Sequence, residues 1–177
     1  INLTTDSGIT PLHVAAEDGQ TEIAKLLLEN GANIHAYCTM QKPNDCVDHD
    51  HITPLHLAAL HGHVKTVELL LENGADIHAS TGLLDTPIHF AAMGGYYDTD
   101  IEVFELLLAR GASLDVVNKN GYTPFHTAAY WNSFSIVDLL IGMERNMSFV
   151  DDDLDSILPP LFNGDPIHAA MCGEYEE

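Results

Sequence analysis

One four-residue motif recurs five times in this chain: Thr10-Pro11-Leu12-His13, Thr53-Pro54-Leu55-His56, Thr86-Pro87-Ile88-His89, Thr123-Pro124-Phe125-His126 and Asp165-Pro166-Ile167-His168. Ala-Ala follows directly after His168 and one residue later in the other four copies. Copies begin between 33 and 43 residues apart. A period of that size restricts the chain to architectures built from one small unit used repeatedly. A unit of about 30 residues cannot bury its apolar face alone and becomes stable only when stacked on others like it.

The unit reads as two short helices. Thr or Asp before Pro supplies an N-cap followed by proline at the first helical position. Leu12, Ala15 and Ala16 then share one apolar face, and the alanines let a neighbouring helix come close. Gly19, Gly62 and Gly95 stand where the first helix ends. A second helix is predicted with Ile23, Leu26 and Leu27 on its apolar face at i, i+3, i+4 spacing, closed by Gly31, Gly74 and Gly111 in successive units. Helices this short are marginal in isolation. The fold class is therefore an all-α repeat solenoid of helix-turn-helix units, with a hairpin or loop protruding between each second helix and the next motif.

The motif, together with the recurring LLLENGANIHA, LLLENGADIHA and LLLARGASLDV, resembles the ankyrin repeat, whose period is about 33 residues with a T-P-L-H-x-A signature. The resemblance covers nearly the whole chain as one domain, 1–177. Four units are nearly complete, at about 5–36, 48–79, 81–117 and 118–149, and a fifth at 160–177 holds only its first helix. The family implies that the motif histidine locks its turn by hydrogen bonds within and between repeats. It also implies that His35 and His78 bond the hairpin backbone, and that a partner binds on the hairpin tips and the concave face of the first helices. Further units before Ile1 and after Glu177 are expected, because neither end reads as a polar cap. Ile1-Asn2-Leu3 carries neither a start methionine nor a signal-peptide profile, as in an excised piece or a mature form.

Three insertions break the period: an enlarged loop at 37–52, an inter-helix insertion at 95–100, and a second enlarged loop at 149–164. The first gathers Cys38, Cys46, His49 and His51. Their spacing matches no regular zinc module, so an interaction loop, a tolerated insertion and a metal site all stay open, with no metal or cofactor assigned. Asp151, Asp153 and Asp155 imitate a calcium loop, but Ser156 and Phe162 stand where an EF-hand needs glycine and glutamate.

Charge narrows the partner class. The chain has 27 acidic and 6 basic residues, a formal net charge of −21. Phosphate-contacting nucleic-acid binding and docking on anionic membranes both need a basic surface that is missing here. No apolar run is long enough for a membrane helix. The acidity either keeps a repeat array soluble or complements a basic protein partner. Three cysteines (Cys38, Cys46, Cys172) make no disulfide framework, which favours an intracellular, cytoplasmic setting, or the host cytoplasm for an effector.

No G-x-G-x-x-G, P-loop, G-x-S-x-G or H-E-x-x-H motif occurs. The expected function is a non-enzymatic, monomeric scaffold that binds a basic protein or peptide. By the family resemblance, its first-helix face carries Glu17, Asp18, Leu60, His61, Met93, Tyr130 and Trp131, and its tips carry Asp50, Leu83, Asp85 and Tyr122. Trp131, the only tryptophan, has two readings: an interface anchor, or a side chain packed on 149–164. Two alternatives stand beside the scaffold. One is a targeting or regulatory segment of a larger protein, such as a host-directed effector or toxin. The other is a metal- or pH-responsive binder working through 37–52.

Overall fold

The computed structural model describes residues 1–40, 49–94 and 101–147. Four helix pairs follow one another: α1 (Pro11–Glu17) with α2 (Thr21–Glu29), α3 (Pro54–Leu60) with α4 (Val64–Glu72), α5 (Pro87–Ala92) with α6 (Glu102–Ala109), and α7 (Pro124–Tyr130) with α8 (Phe134–Met147). The first helices pack in one row, α1 on α3 on α5 on α7, and α2, α4 and α6 form a second row behind them. This is the helix-turn-helix solenoid that the motif predicts. The insertion at 95–100, the loop at 149–164 and the fifth unit lie outside the described residues.

Each first helix is started by its own motif. Proline occupies the first helical turn, and the threonine side chain and the histidine three residues on form a reciprocal capping box in all four units. The threonine hydroxyl lies 2.8, 2.8, 2.9 and 2.7 Å from Nδ1 of His13, His56, His89 and His126. The threonine backbone N–H donates to the same nitrogen at 3.1, 3.2, 3.3 and 3.3 Å. Nδ1 is therefore an acceptor, and the ring proton sits on Nε2. That N–H crosses to the next unit. It donates to the carbonyl just before the next motif: His13 to Ile52 at 3.0 Å, His56 to Asp85 at 3.2 Å, His89 to Tyr122 at 3.0 Å.

Burial lowers the pKa of His13 and His89 and takes His56 down to about 4, against a smaller raising effect of the carbonyl bonds. These rings are neutral structural locks, as the resemblance implies.

The alanines behave as expected. Ala15, Ala16, Ala58, Ala59, Ala91, Ala92 and Ala128 are buried between the rows, with Leu12, Leu55 and Ile88 beside them. The second helices contribute Ala24, Val67, Leu70, Phe104, Leu107, Ile136 and Leu140. In α2 the predicted apolar face is corrected: Ile23 and Leu26 are exposed, and Ala24 is the buried residue. Ile23 shares its place with Thr66 and Val103, both buried, and Thr66 Oγ1 lies 2.8 Å from Thr21 Oγ1 of the preceding unit. The position faces backward along the stack, and Ile23 has no described unit behind it.

Helix length follows one glycine. Gly31, Gly74 and Gly111 take φ of +85°, +88° and +95° just past α2, α4 and α6, which glycine does without a Cβ clash. Glu144 stands at that place in the fourth unit, and α8 runs on to 14 residues where α2 and α4 have 9 and α6 has 8.

The connecting loops repeat as well. The N–H of Thr5, Thr81 and Asn118 donates to the carbonyl of Ile9, Asp85 and Tyr122 at 3.0, 2.9 and 3.0 Å. Neighbouring loops are tied by Thr39 N–H to Ser7 O (2.9 Å), Gly82 N–H to Asp50 O (3.0 Å) and Lys119 N–H to Leu83 O (2.9 Å). The enlarged loop 37–52 is not wholly a solvated excursion. Its ends pair as antiparallel strands, β1 (Cys38–Met40) and β2 (His49–Ile52), with Cys38 opposite Ile52 and both buried. Only its tip, 41–48, is outside the described residues. After the second helices, the bracing expected of His35 and His78 falls to Asn33 and Asp76. Their side-chain oxygens accept the N–H of those histidines at 3.1 and 2.9 Å, while both rings are exposed.

These locks link stability to pH. A histidine whose folded pKa lies below its unfolded value favours unfolding once the unfolded chain begins to bind the proton. Stability is fully present above about pH 6.5 and falls as pH drops towards 4, with His56 alone contributing roughly 3 kcal/mol of loss by pH 4. Urea midpoints measured from pH 7.5 to 4.5 should fall, and fall less steeply in His56→Gln, which cannot titrate; equal slopes would refute the assignment.

Candidate functional site

The C-terminal ends of the first helices and the residues that cap them form the candidate surface. Each helix ends at its Ala-Ala pair or one residue past it, so the two residues that follow the pair stand at the same place in every unit: Glu17 and Asp18, Leu60 and His61, Met93 and Gly94, Tyr130 and Trp131. Because α1, α3, α5 and α7 stack in one row, these places line up, with spacings on the order of 10 Å set by helix packing. Asp18 is exposed, and Glu17, Leu60, His61, Met93, Tyr130 and Trp131 are partly exposed. The row passes from two carboxylates through Leu60 and Met93 to two aromatics.

The aromatic end joins the helix face to a loop. The Tyr122 ring lies 6.0 Å from Tyr130 and 6.0 Å from His126, and Tyr130 meets Trp131 edge-on at 5.7 Å. Tyr122 also gives its carbonyl to His89 Nε2, so the turn lock holds this ring in place. At the acidic end, His61 lies against His63 at 6.1 Å between ring centroids. Burial lowers the His61 pKa, Glu17 and Asp18 pull it up and His63 pushes it down. His63 has no role in the repeat motif, yet its Nε2–H donates to Glu17 O at 2.8 Å and ties unit 2 to unit 1. Ser133 holds the same place in unit 4 and donates to Ala92 O at 2.7 Å. The signal was available, since both follow the Gly19-type position by one residue.

The loop residues divide. Asp50 and Leu83 are partly exposed, and Asp50 pairs with His51 Nδ1 at 3.2 Å. Asp85 is corrected as a rim residue: it is 2% exposed. Its carboxylate accepts from Asn118 Nδ2 at 2.8 Å, and its N–H donates to Thr81 Oγ1 at 3.2 Å. It organises the loop from inside. The exposed neighbours are Leu84 and, one loop earlier, Tyr37 and His51, whose rings lie 4.8 Å apart. Leu84 (φ +62°) and His51 (φ +60°) occupy the turn position that Gly8 (φ +80°) and Gly121 (φ +77°) fill in the other two loops.

A metal site in 37–52 loses one of its sequence candidates. Cys38 is buried in β1, and burial, with a smaller push from Glu17, takes its thiol up to about 11, away from the thiolate a metal needs. Among the described residues, no three His, Cys, Asp or Glu side chains gather in a metal-binding group. Cys46 lies outside the described residues.

Comparison with known proteins accords with this geometry. A family model for ankyrin repeats, three copies, matches residues 1–81 and again 78–153. The chain belongs to the ankyrin repeat family. It is 32% identical over 154 residues, 87% of its length, to the yeast (Saccharomyces cerevisiae) target of rapamycin complex 2 subunit AVO2, of which the match covers 33%. It is 33% identical over 51 residues, 29% of its length, to human ankyrin repeat and SOCS box protein 3, of which the match covers 10%. The chain thus spans about a third or less of these relatives. Ankyrin repeats are protein–protein interaction modules, and the family is generally non-enzymatic. Among the described residues of this ankyrin repeat chain, no helix is long and apolar enough to cross a membrane.

Two measurements check the local chemistry. Leu84→Gly should stabilise the chain by about 0.5–1 kcal/mol, the left-handed penalty for leucine less the entropy cost of glycine; a loss of stability in urea unfolding would show that Leu84 makes compensating contacts. In a Cys46→Ser/Cys172→Ser background, Cys38 should resist iodoacetamide at pH 8 until urea unfolds the chain, and fast native alkylation would contradict its burial.

Proposed function

We propose that this ankyrin repeat chain is a docking module for a basic, partly apolar segment of another protein, held on the first-helix face from Glu17 to Trp131 and on the adjoining loop tips. The observation that carries this reading is the aligned, partly exposed row of Leu60, Met93, Tyr130 and Trp131, continued into a loop by Tyr122. Leu60 and Met93 offer an apolar floor. Tyr130 and Trp131 are the residue types that dominate interface energetics. Glu17, Asp18 and Asp50 offer a carboxylate rim, and the net charge of −21 steers a basic partner towards it. The chain acts as a monomer with no cofactor. The free, buried thiol of Cys38 accords with the reducing interior of a cell.

A second reading draws support from coverage. The match takes up a third of the yeast relative, whose name places it as a subunit of a complex. On that reading the array is the targeting or regulatory segment of a longer polypeptide, and the same face delivers it to its partner.

The test is photo-crosslinking from a reactive residue placed at Met93 to recover a partner, followed by titration of that partner at 50 and 200 mM NaCl. Tyr130→Ala/Trp131→Ala, shown folded by circular dichroism, should weaken binding by about 30-fold or more. Higher salt should weaken binding of the unaltered chain through slower association. Unchanged affinity in the double variant would move the site to the loops, and salt-independent binding would remove the basic partner.

A further inference from the structure

We infer that the loop row is a seat for an arginine side chain of the docking partner, held between the loops that precede α3 and α5 by Asp50, the Tyr37–His51 ring pair and Leu84. The inference rests on the docking reading above and names the partner residue that the loops select. Main-chain bonds between loops fix which positions correspond. Thr39, Gly82 and Lys119 each donate to the loop before, at Ser7, Asp50 and Leu83. Tyr37, Ser80 and Val117 therefore share one place, two residues ahead of the donor. Gly8, His51 and Leu84 share another, one residue past the acceptor. The two places abut across neighbouring loops: a Cβ on Gly8 would meet Tyr37 O at 2.9 Å. By the same correspondence His51 stands beside Ser80, and Leu84 beside Val117.

The backbone singles out two of these residues. His51 (φ +60°) and Leu84 (φ +62°) hold the left-handed conformation that glycine takes at Gly8 and Gly121 without a Cβ clash. Histidine enters that region more readily than leucine, so Leu84 is the sharper exception. Packing does not account for it. Leu84 is 47% exposed, and Tyr37 and Val117 on the same row are 61% and 53% exposed. A bulky, strained, half-exposed side chain costs the fold stability that glycine would restore. Strain of that kind persists where a side chain must be presented to something else.

The side chains define what is received. The rings of Tyr37 and His51 lie 4.8 Å apart. His51 Nδ1 lies 3.2 Å from Asp50 Oδ2, and both side chains are about half exposed. The other oxygen of Asp50 faces Gly82, where any Cβ would collide with it. The bare glycine thus gives the carboxylate its place between the two loops. Ser80, small and exposed, leaves a notch in the row between the ring pair and Leu84. A carboxylate beside two exposed rings and a leucine fits a guanidinium on an apolar stem. The guanidinium plane stacks on the rings, its N–H fork meets the carboxylate, and the stem lies on Leu84. A lysine ammonium has neither the plane nor the fork. Lys119 takes the Gly82 place one loop further on, so a cation finds its complement at Asp50 and is repelled from the far end of the row.

The test is selection of phage-displayed random dodecapeptides on the 177-residue chain in about 150 mM NaCl, which screens diffuse attraction to its acidity. Enriched peptides should carry an arginine next to an aliphatic residue. Against the tightest of them, Leu84→Gly should bind at least about tenfold more weakly while unfolding at a higher urea concentration. Asp50→Asn should lose a similar amount, and replacing the peptide's arginine by lysine should cost about fivefold or more. No enriched peptide, enrichment without arginine, or affinity unchanged in both Leu84→Gly and Asp50→Asn would overturn the inference. If those two bind normally while Tyr130→Ala/Trp131→Ala does not, the arginine seat falls and the helix-face reading stands. If those two fail while Tyr130→Ala/Trp131→Ala binds normally, the seat stands and the helix-face reading falls.

Discussion

A neutral imidazole with both nitrogens engaged is the joint on which this array depends. Nδ1 takes two donors from the threonine that caps its own helix, and Nε2–H reaches the carbonyl that precedes the next cap. Local and long-range order are thereby set by one side chain. Leaving either half unmade would strand buried polar groups at a cost of about 1–3 kcal/mol each. Protonation breaks the arrangement from within, because an imidazolium has no acceptor to offer the threonine. Helices of 6 to 9 residues, too short to persist alone, are held in register through these joints and the close approach of their alanines.

Function resides in what differs from unit to unit. Identical motifs fix the frame, and the residues after each Ala-Ala pair vary from carboxylate to aliphatic to aromatic. A surface of that kind changes chemistry along its length while its geometry stays periodic, which lets one fold serve many partners. The acidity belongs to this variable layer. Among the described residues one carboxylate is buried, that of Asp85, and it is bound by Asn118.

Much of the fold was legible because each unit states it again. The proline-started helices, the histidine locks and the buried alanines all follow from local rules. Three things were not legible, each for a physical reason. Ile23 and Leu26 have the spacing of a core face, but burial there depends on a neighbour that spacing does not reveal. Asp85 reads as a surface carboxylate because its partner, Asn118, is 33 residues away. Cys38 and Ile52 look like part of an inserted loop, yet they pair as strands and sink into the core. The candidate face was legible as a set of positions; that Tyr122 joins the helix face to the loop row required the rings to be placed in space.

The two sides of the stack are bound very differently. Helices meet through packed side chains that tolerate little displacement, whereas adjacent loops are fastened by a single main-chain hydrogen bond each: Thr39 to Ser7, Gly82 to Asp50 and Lys119 to Leu83. Bending that pivots on the helix row and spreads or gathers the loops strains those links, the Asn118–Asp85 side-chain bond and the histidine-to-carbonyl joints, and leaves the helix packing intact. The array is an asymmetric spring, stiff along its helical spine and compliant along its fringe, and small rotations at successive joints add up to a change of curvature without unfolding any unit.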